Sequence, residues 1–541
     1  MTLVDRFLSH PEKVHFTFDH GNGHVREYPG TQLLAEAAGL ALRLRELGVV
    51  PGDRVAVVVP TSEPLLRTII ATWFARAGIV VLPHRLAGTR SASSAERLGR
   101  MLAKVEPKVV VGYAEVEAAI RAALGPTQHY LAAENLHETG SAEADSTLRP
   151  LPEDLALLQF SSGSTREPRA VIVRHGQLDQ NSGAVASRAL GTYDDRVFSW
   201  LPIYHDLGFL SGISFPIILG VRATLVPTEL FVADVHSAIQ SICRSRATLT
   251  AMPAFALDLI AQSLERTPPS PSSSLECIRA FYVGAEPMFP KRISRFESIA
   301  RNHGLATNAV QTCYGLAEAV IGVAVSCPGA HWKVAVDPRV SSGGEQCSNN
   351  IVQAGPAVDG IEIQIASSDR GTISQPGRGR IWIKGSSVTE GYWGESESPL
   401  RDGWLDTGDE GFMLDGQLYV CGRTKDTLIR GGVNYDAHEI EDAAAELIGQ
   451  QLPALRCRVV AVFAVRDDVQ QRERAVAVLD VKHLPDDRDA AFNMVRAGVL
   501  ATTGLGLDDI AYARPPGLPR TTSGKLQRGA AREHYLAGDY A

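Results

Sequence analysis

Paired cysteines, basic runs and long apolar stretches are all missing from this 541-residue sequence. Its seven cysteines are Cys243, Cys277, Cys313, Cys327, Cys347, Cys421 and Cys457. No two have Cys-x-x-Cys spacing, and the odd number suits reduced thiols rather than a disulfide framework or a zinc site. Lys and Arg total 53 against 61 Asp and Glu, a net charge of −8, with no long basic cluster. That balance argues against general nucleic-acid binding. The longest apolar stretch, Leu65 to Pro83, is broken by Arg67 and Arg76, so no membrane span is expected. The start, Met1-Thr-Leu-Val-Asp-Arg-Phe, lacks the charged-then-apolar layout of a signal peptide. Together these absences predict a soluble cytoplasmic protein.

What is present points to an α/β chain of more than one domain, because the length exceeds the ~250–300 residues at which a single core stops growing. Residues 31–220 alternate helical spacing with apolar runs: Gln32–Leu47 (helix), Arg54–Val59 (strand), Pro64–Ala77 (helix), Gly78–Pro83 (strand). Continuous apolar strands between helices imply parallel α/β layers. The rhythm continues through Ala233–Ser245, Ala247–Met252, Ala256–Glu265 and Ile278–Val283. After Pro328 it changes. Ile361–Ile365 and Arg380–Lys384 alternate with period two, as in a half-exposed antiparallel sheet. From about Thr424 a small α+β pattern begins: helices Asp436–Leu447, Asp487–Leu500 and Leu526–Tyr535, with strands Val459–Val465 and Ala475–Val481. The expected division is a large N-terminal unit, 1–423, of α/β layers with a β-rich subdomain, and a small C-terminal α+β unit, 424–541.

Between two strand-like segments, Leu157–Phe160 and Arg169–Val173, lies the loop Ser161, Ser162, Gly163, Ser164, Thr165. Small residues in a row pack poorly but supply closely spaced N–H and hydroxyl donors, which suit phosphate oxygens. It is not a Walker A loop, which requires Lys-Ser/Thr and then a helix. A phosphate cradle and a plain polar hairpin both remain open for this loop taken alone.

Six motifs occur in order: Phe160-Ser-Ser-Gly-Ser-Thr-Arg, Gly284-Ala-Glu-Pro, Tyr314-Gly-Leu-Ala-Glu, Trp404-Leu-Asp-Thr-Gly-Asp, Gly422-Arg-Thr-Lys-Asp and Pro519-Arg-Thr-Thr-Ser-Gly-Lys-Leu-Gln-Arg. This set resembles the adenylate-forming superfamily of acyl-CoA synthetases, peptide-synthetase adenylation domains and luciferases. Ser199-Trp-Leu-Pro-Ile-Tyr-His-Asp-Leu-Gly is most similar to fatty acyl-AMP ligases. The resemblance spans nearly the whole chain and implies an acid that attacks the α-phosphate of ATP. Such an acid needs no general base, since it is already ionised at neutral pH. What it needs is alignment and charge neutralisation.

The resemblance assigns roles by position. Ser161–Thr165 would hold the pyrophosphate oxygens, and Glu318 with Thr165 would hold Mg²⁺. The turn Gly284, Ala285, Glu286, Pro287 would meet the adenine edge, with Tyr314 and Gly315 at its face. Asp409 and Arg423 would take the ribose hydroxyls or a phosphate. Lys525 would bridge the α-phosphate and the acid, and His205 would lie near the acid carboxylate. Lys425 matches the hinge about which the small unit reorients between half-reactions.

The expected acceptor is the thiol of an acyl carrier protein, because the polar stretch His331–Asn350 sits where fatty acyl-AMP ligases carry an insertion that CoA ligases lack. A basic face from Arg514, Arg520, Lys525, Arg528 and Arg532 would suit an acidic carrier. Ala254 and Val283 replace the Asn common in relatives, which would alter the polarity of an acyl site they line, and Arg169 stands where relatives have Lys or a small residue. The alternatives are an acyl-CoA ligase, an enzyme adenylating an unusual small acid, and a non-catalytic nucleotide-binding protein.

Overall fold

Strands buried on both faces organise the first three hundred residues, as their continuous apolar runs predict. The computed structural model describes residues 1–21, 23–88, 92–139, 149–160, 169–286, 288–338, 350–367, 371, 377–423, 427–430, 433–467, 472–483, 487–513, 517–521 and 524–541. A six-stranded sheet runs in the order His129–Ala132, Val109–Gly112, Arg54–Val58, Gly78–Val81, Leu155–Phe160, Ala170–Arg174. All its pairs are parallel except the last. Val55 and Val57 point into one apolar cluster, Ala56 and Val58 into another, so helices cover both sides.

An eight-stranded sheet has the order Gly322–Val325, Val310–Gly315, Ala280–Gly284, Leu249–Pro253, Arg196–Ser199, Arg222–Leu225, His15–Asp19, Val25–Pro29. It too is parallel inside and antiparallel at its two edges. In the helix Glu63–Phe74 every residue but Pro64 is buried. Helices this apolar all round are core elements.

The β-rich part is a seven-stranded sheet in which Ile361–Ala366 pairs antiparallel with Gly379–Gly385, and Trp404–Leu414 with Gln417–Arg423. At its edge Val334–Val336 pairs with Asn350–Gly355, so part of the His331–Asn350 stretch is a strand and not only a loop. Arg378, Asp337 and Glu410 form a buried ion network that ties this edge down. Residues 339–349 lie outside the described residues.

The last quarter of the chain has cores of its own. Strands Cys457–Asp467, Arg472–Val481 and Asp509–Ala513 form one sheet between two apolar clusters drawn only from residues 428–531. Helices Ala437–Gln451 and Arg488–Thr503 flank it, each within a few residues of its expected bounds.

Candidate active site

A cavity of about 860 Å³ opens at the C-terminal ends of the strands Leu249–Pro253, Ala280–Gly284 and Val310–Gly315. Open parallel sheets place ligands at this end of their strands. Tyr314, Gly315, Ala285, Glu286, His205, Asp409 and Lys525 all line it, although they come from parts of the chain up to 320 residues apart (205 to 525).

Two glycines shape one rim. A Cβ on Gly315 would lie 1.6 Å from the Ile321 carbonyl oxygen, and one on Gly284 would lie 2.7 Å from both Cys313 O and Cys313 Sγ. The backbone crossing at these points leaves no room for any side chain. Ala285 follows in the left-handed region, φ 65°. Asn181, 1% exposed, clamps the returning turn: its Nδ2 donates to Gly322 O at 2.9 Å and its Oδ1 accepts from Gly322 N at 2.9 Å.

The hydroxyl of Tyr314 donates to Asp409 Oδ2 at 2.6 Å, fixing ring and carboxylate together. Asp409 N–H donates to Thr407 Oγ1 at 3.1 Å, and the Thr407 hydroxyl donates to Ile381 O at 2.8 Å. Arg423 stands directly opposite Asp409 in the antiparallel pair. The turn Gly284–Glu286 is held differently. Glu286 Oε2 accepts the Phe255 N–H at 3.1 Å, in the first turn of the helix Ala254–Glu265. A carboxylate there satisfies an orphan donor and complements the helix dipole.

Glu318 lies outside this lining and beside the second strand that flanks the Ser161–Thr165 loop. Tyr392 donates to Glu318 Oε1 at 2.9 Å and forms a bridge with Val171. Thr389 N–H donates to the Glu318 carbonyl at 2.7 Å. The Arg169 guanidinium stacks 3.3 Å over the Tyr392 ring and pairs with Glu395 at 2.5 Å. Its departure from the usual residue therefore has a local reason: it packs the aromatic that orients Glu318. Ser161, Ser162, Gly163, Ser164, Thr165, Pro287 and Lys425 lie outside the described residues, as do Arg514 and the boundary at residue 424.

Lys525 sits on a tight loop whose Gly524 has φ +87°. Thr521 N–H donates to Lys525 O at 2.7 Å, and Lys525 N–H donates to Thr521 Oγ1 at 3.0 Å. Across the cavity His205 Nδ1 lies 2.6 Å from Asp206 Oδ1. Burial pushes the Asp206 carboxyl up, but the charges of His205 and Lys525 and the Leu207 N–H outweigh it and hold it at about 2. Asp206 therefore stays ionised, and it lines the same cavity as Lys525. Sequence reasoning did not single out Asp206, although it adjoins His205 in the same motif.

Two expectations need correction. Arg528 does not belong to an exposed basic face: it is buried against Glu441 in a two-pronged ion pair, each side chain 10% exposed. Ala254 and Val283, both fully buried, are not among the residues lining the cavity; their neighbours Pro253, Phe255 and Tyr282 are. Val283 lies on a strand, where successive side chains alternate faces, so its neighbour Tyr282 meets the cavity and it meets the core; Ala254 opens the helix Ala254–Glu265 and packs into the core.

The AMP-binding enzyme family model matches residues 5–393. A putative acyl-CoA synthetase of Caulobacter vibrioides is 29% identical, aligned over 95% of this chain and 91% of its own. A long-chain-fatty-acid–AMP ligase of Mycobacterium bovis is 27% identical, over 99% and 97%. Among solved structures, one of the fatty acyl-adenylate ligases of E. coli and L. pneumophila superposes with a TM-score of 0.87 at 27% identity, covering 99% of this chain and 98% of its own. The chain belongs to the AMP-binding enzyme family, and it is an adenylate-forming enzyme that uses ATP to activate a carboxylic acid.

Proposed function

We propose that this enzyme forms an acyl-AMP with release of pyrophosphate and then transfers the acyl group to the phosphopantetheine thiol of an acyl carrier protein. The observation that carries the reading is the convergence of Lys525, from the C-terminal unit, with His205, Asp206, Tyr314 and Asp409 on one cavity. Adenylation joins two anions, so its barrier falls when a fixed cation meets the in-line phosphorus. Lys525 is that cation, and the ionised Asp206 lines the same cavity. Tyr314 stacks on the adenine, Asp409 accepts from the ribose hydroxyls with Arg423 beside it, and the backbone of 284–287 meets the adenine edge. Ser161–Thr165 hold the pyrophosphate.

Among the described residues no cluster of three or more metal-binding side chains occurs. The residues still fit Mg²⁺, which characteristically takes one or two protein carboxylates and completes its shell with water and phosphate oxygens. Glu318, oriented by Tyr392, would hold it with Thr165, and the ion would neutralise phosphate charge. The unit 424–541 then rotates about Lys425, withdrawing Lys525 and admitting the thiol.

The resemblance of the His331–Asn350 stretch to the insertion of fatty acyl-AMP ligases supports a carrier protein over CoA as acceptor. Incubation with ATP, acid and either CoA or a phosphopantetheinylated carrier tests this. Thioester is expected on the carrier alone, and acyl-CoA formation at a comparable rate would make the enzyme a CoA ligase.

A further inference from the structure

We propose that Arg292 is a positioning residue for Lys525: it holds the C-terminal unit against the large one so that the lysine stands in the cavity while the acid is adenylated. The inference rests on the reading of Lys525 as the adenylating cation. Arg292 lies in the helix Pro290–Arg301, which follows the strand Ala280–Gly284 and its turn. Its Nε donates to Asp258 Oδ2 at 2.9 Å, and its Nη2 reaches Asp442 Oδ1, on the helix Ala437–Gln451, at 3.5 Å. A second pair crosses the same junction, Lys291 Nζ to Glu446 Oε2 at 3.8 Å, between exposed side chains. Exposed pairs contribute little, whereas the Arg292 side chain is only 20% exposed.

The residue before Asp442 has a different task. Adjacent residues of a helix project about 100° apart, and Glu441 turns to its own unit. It accepts from Arg528 Nε at 2.7 Å and from Val462 N–H at 2.8 Å. Arg528 begins the helix Arg528–Leu536, just beyond Lys525. Lys525 O accepts from Thr521 N–H at 2.7 Å, and Gln527 N–H donates to Pro519 O at 2.9 Å. A line of contacts thus runs from Arg292 through Asp442, Glu441 and Arg528 to Lys525. Its inner link is a two-pronged ion pair with each side chain 10% exposed. Its outer link is one longer contact, with the Asp442 side chain 39% exposed. Buried pairs cost more to break, so the inner link keeps the lysine on its helix and the outer one opens when the unit turns.

Carboxylates gather around Arg292 from both units. Burial works against its charge, but Asp442, Asp258 and Glu286 outweigh it and strengthen its hold on the proton. The other basic groups nearby are farther away or shared. Arg295 reaches Asp258 at 3.8 Å but Glu265 at 3.0 Å, and His438 acts on Asp442 from the same helix. Without Arg292, a carboxylate of the C-terminal unit would meet two of the large unit. The junction would change from attraction to repulsion, and Lys525 would leave the cavity with it.

The test compares Arg292→Glu with the double variant Arg292→Glu/Asp442→Arg, each as the full chain, with melting curves to check folding. ATP–pyrophosphate exchange uses whichever of a panel of alkanoic, aromatic and hydroxylated acids the wild type activates fastest. Arg292→Glu should lower kcat by about tenfold or more while KM for ATP stays within about threefold, as expected when one partner of a part-buried pair is lost. The double variant returns a cation to the same cluster and should regain most of that loss, which a role in folding alone would not produce. A second readout needs no acid. Acylation of Lys525 by dilute acetic anhydride, mapped by mass spectrometry against the exposed Lys482, should quicken severalfold in Arg292→Glu and slow again in the double variant. Near-wild-type kcat or Lys525 reactivity in Arg292→Glu, a raised KM with kcat kept, or a loss that exchanging the charges does not restore overturns the proposal. Where no acid of the panel is activated, or Arg292→Glu does not fold, the Lys525 reactivity of Arg292→Gln decides. Normal exchange in Lys525→Ala overturns the underlying reading instead.

Discussion

Around Tyr314 and Asp409 the cavity wall satisfies its own polar groups; around Trp200, Thr250 and Tyr282 it does not. The first region is a finished structure before any ligand arrives. Its hydroxyl, carboxylate and threonine form a chain of bonds ending on the Ile381 carbonyl, and two glycines without room for a Cβ fix its backbone. The second region packs well but leaves donors unmatched. In the proposed reading the first region seats the nucleotide, on groups fixed before it arrives.

The comparison can be broken most forcefully at Lys525. Lys525→Ala should lower ATP–pyrophosphate exchange by about 10²–10³-fold, the usual cost of a lost electrostatic contact at a developing charge. Thioester formation from supplied acyl-AMP should survive. Exchange within about threefold of wild type would remove the lysine from the adenylation step. Gly315→Ala comes next, because its Cβ would have to displace the Ile321 carbonyl. ATP affinity should be lost together with several degrees of melting temperature, and a variant with wild-type ATP binding would show that the turn is not rigid.

Tyr314→Phe keeps the ring and removes its bond to Asp409. A hydrogen bond to a charged group is worth about 1.5–3 kcal/mol, so KM for ATP should rise by about tenfold or more with kcat less affected. The smallest effect concerns how the C-terminal unit docks. Asp442 on the helix Ala437–Gln451 lies 3.5 Å from Arg292, and burial pushes its carboxyl up to about 6 against the pull of that arginine. The docked carboxyl binds a proton that the unfolded or undocked one, near 3.8, has released. Stability and docking should therefore weaken as pH rises from about 4 through 6. Solvent reaches 39% of the Asp442 side chain and screens much of this. Melting curves of wild type and Asp442→Asn across that range check the sign: the variant should be the flatter of the two.

The parallel strands were legible because burial on both faces writes them as unbroken apolar runs, and Arg54–Val58 and Gly78–Val81 end within two residues of their expected limits. The strands Leu155–Phe160 and Ala170–Arg174 were legible for the same reason, whereas their antiparallel pairing came from the structure. What sequence could not give is direction. Arg528 reads as a surface cation on an amphipathic helix until Glu441, 87 residues away, proves to be its buried partner. Ala254 and Val283 sit one residue from the cavity wall in sequence and on the other side of it in space. Asn181, Tyr392 and Asp206 act on other site residues over distances that no motif spacing records, except that Asp206 stood next to His205.

One carboxylate joins the two regions. Glu286 belongs to the turn proposed to meet the adenine, and its oxygen holds the N–H of Phe255, another residue of the cavity lining. In the proposed reading the two substrates share a joint. In the proposed reading, an acid that shifted the Ala254–Glu265 helix would also move the nucleotide's seat through this bond.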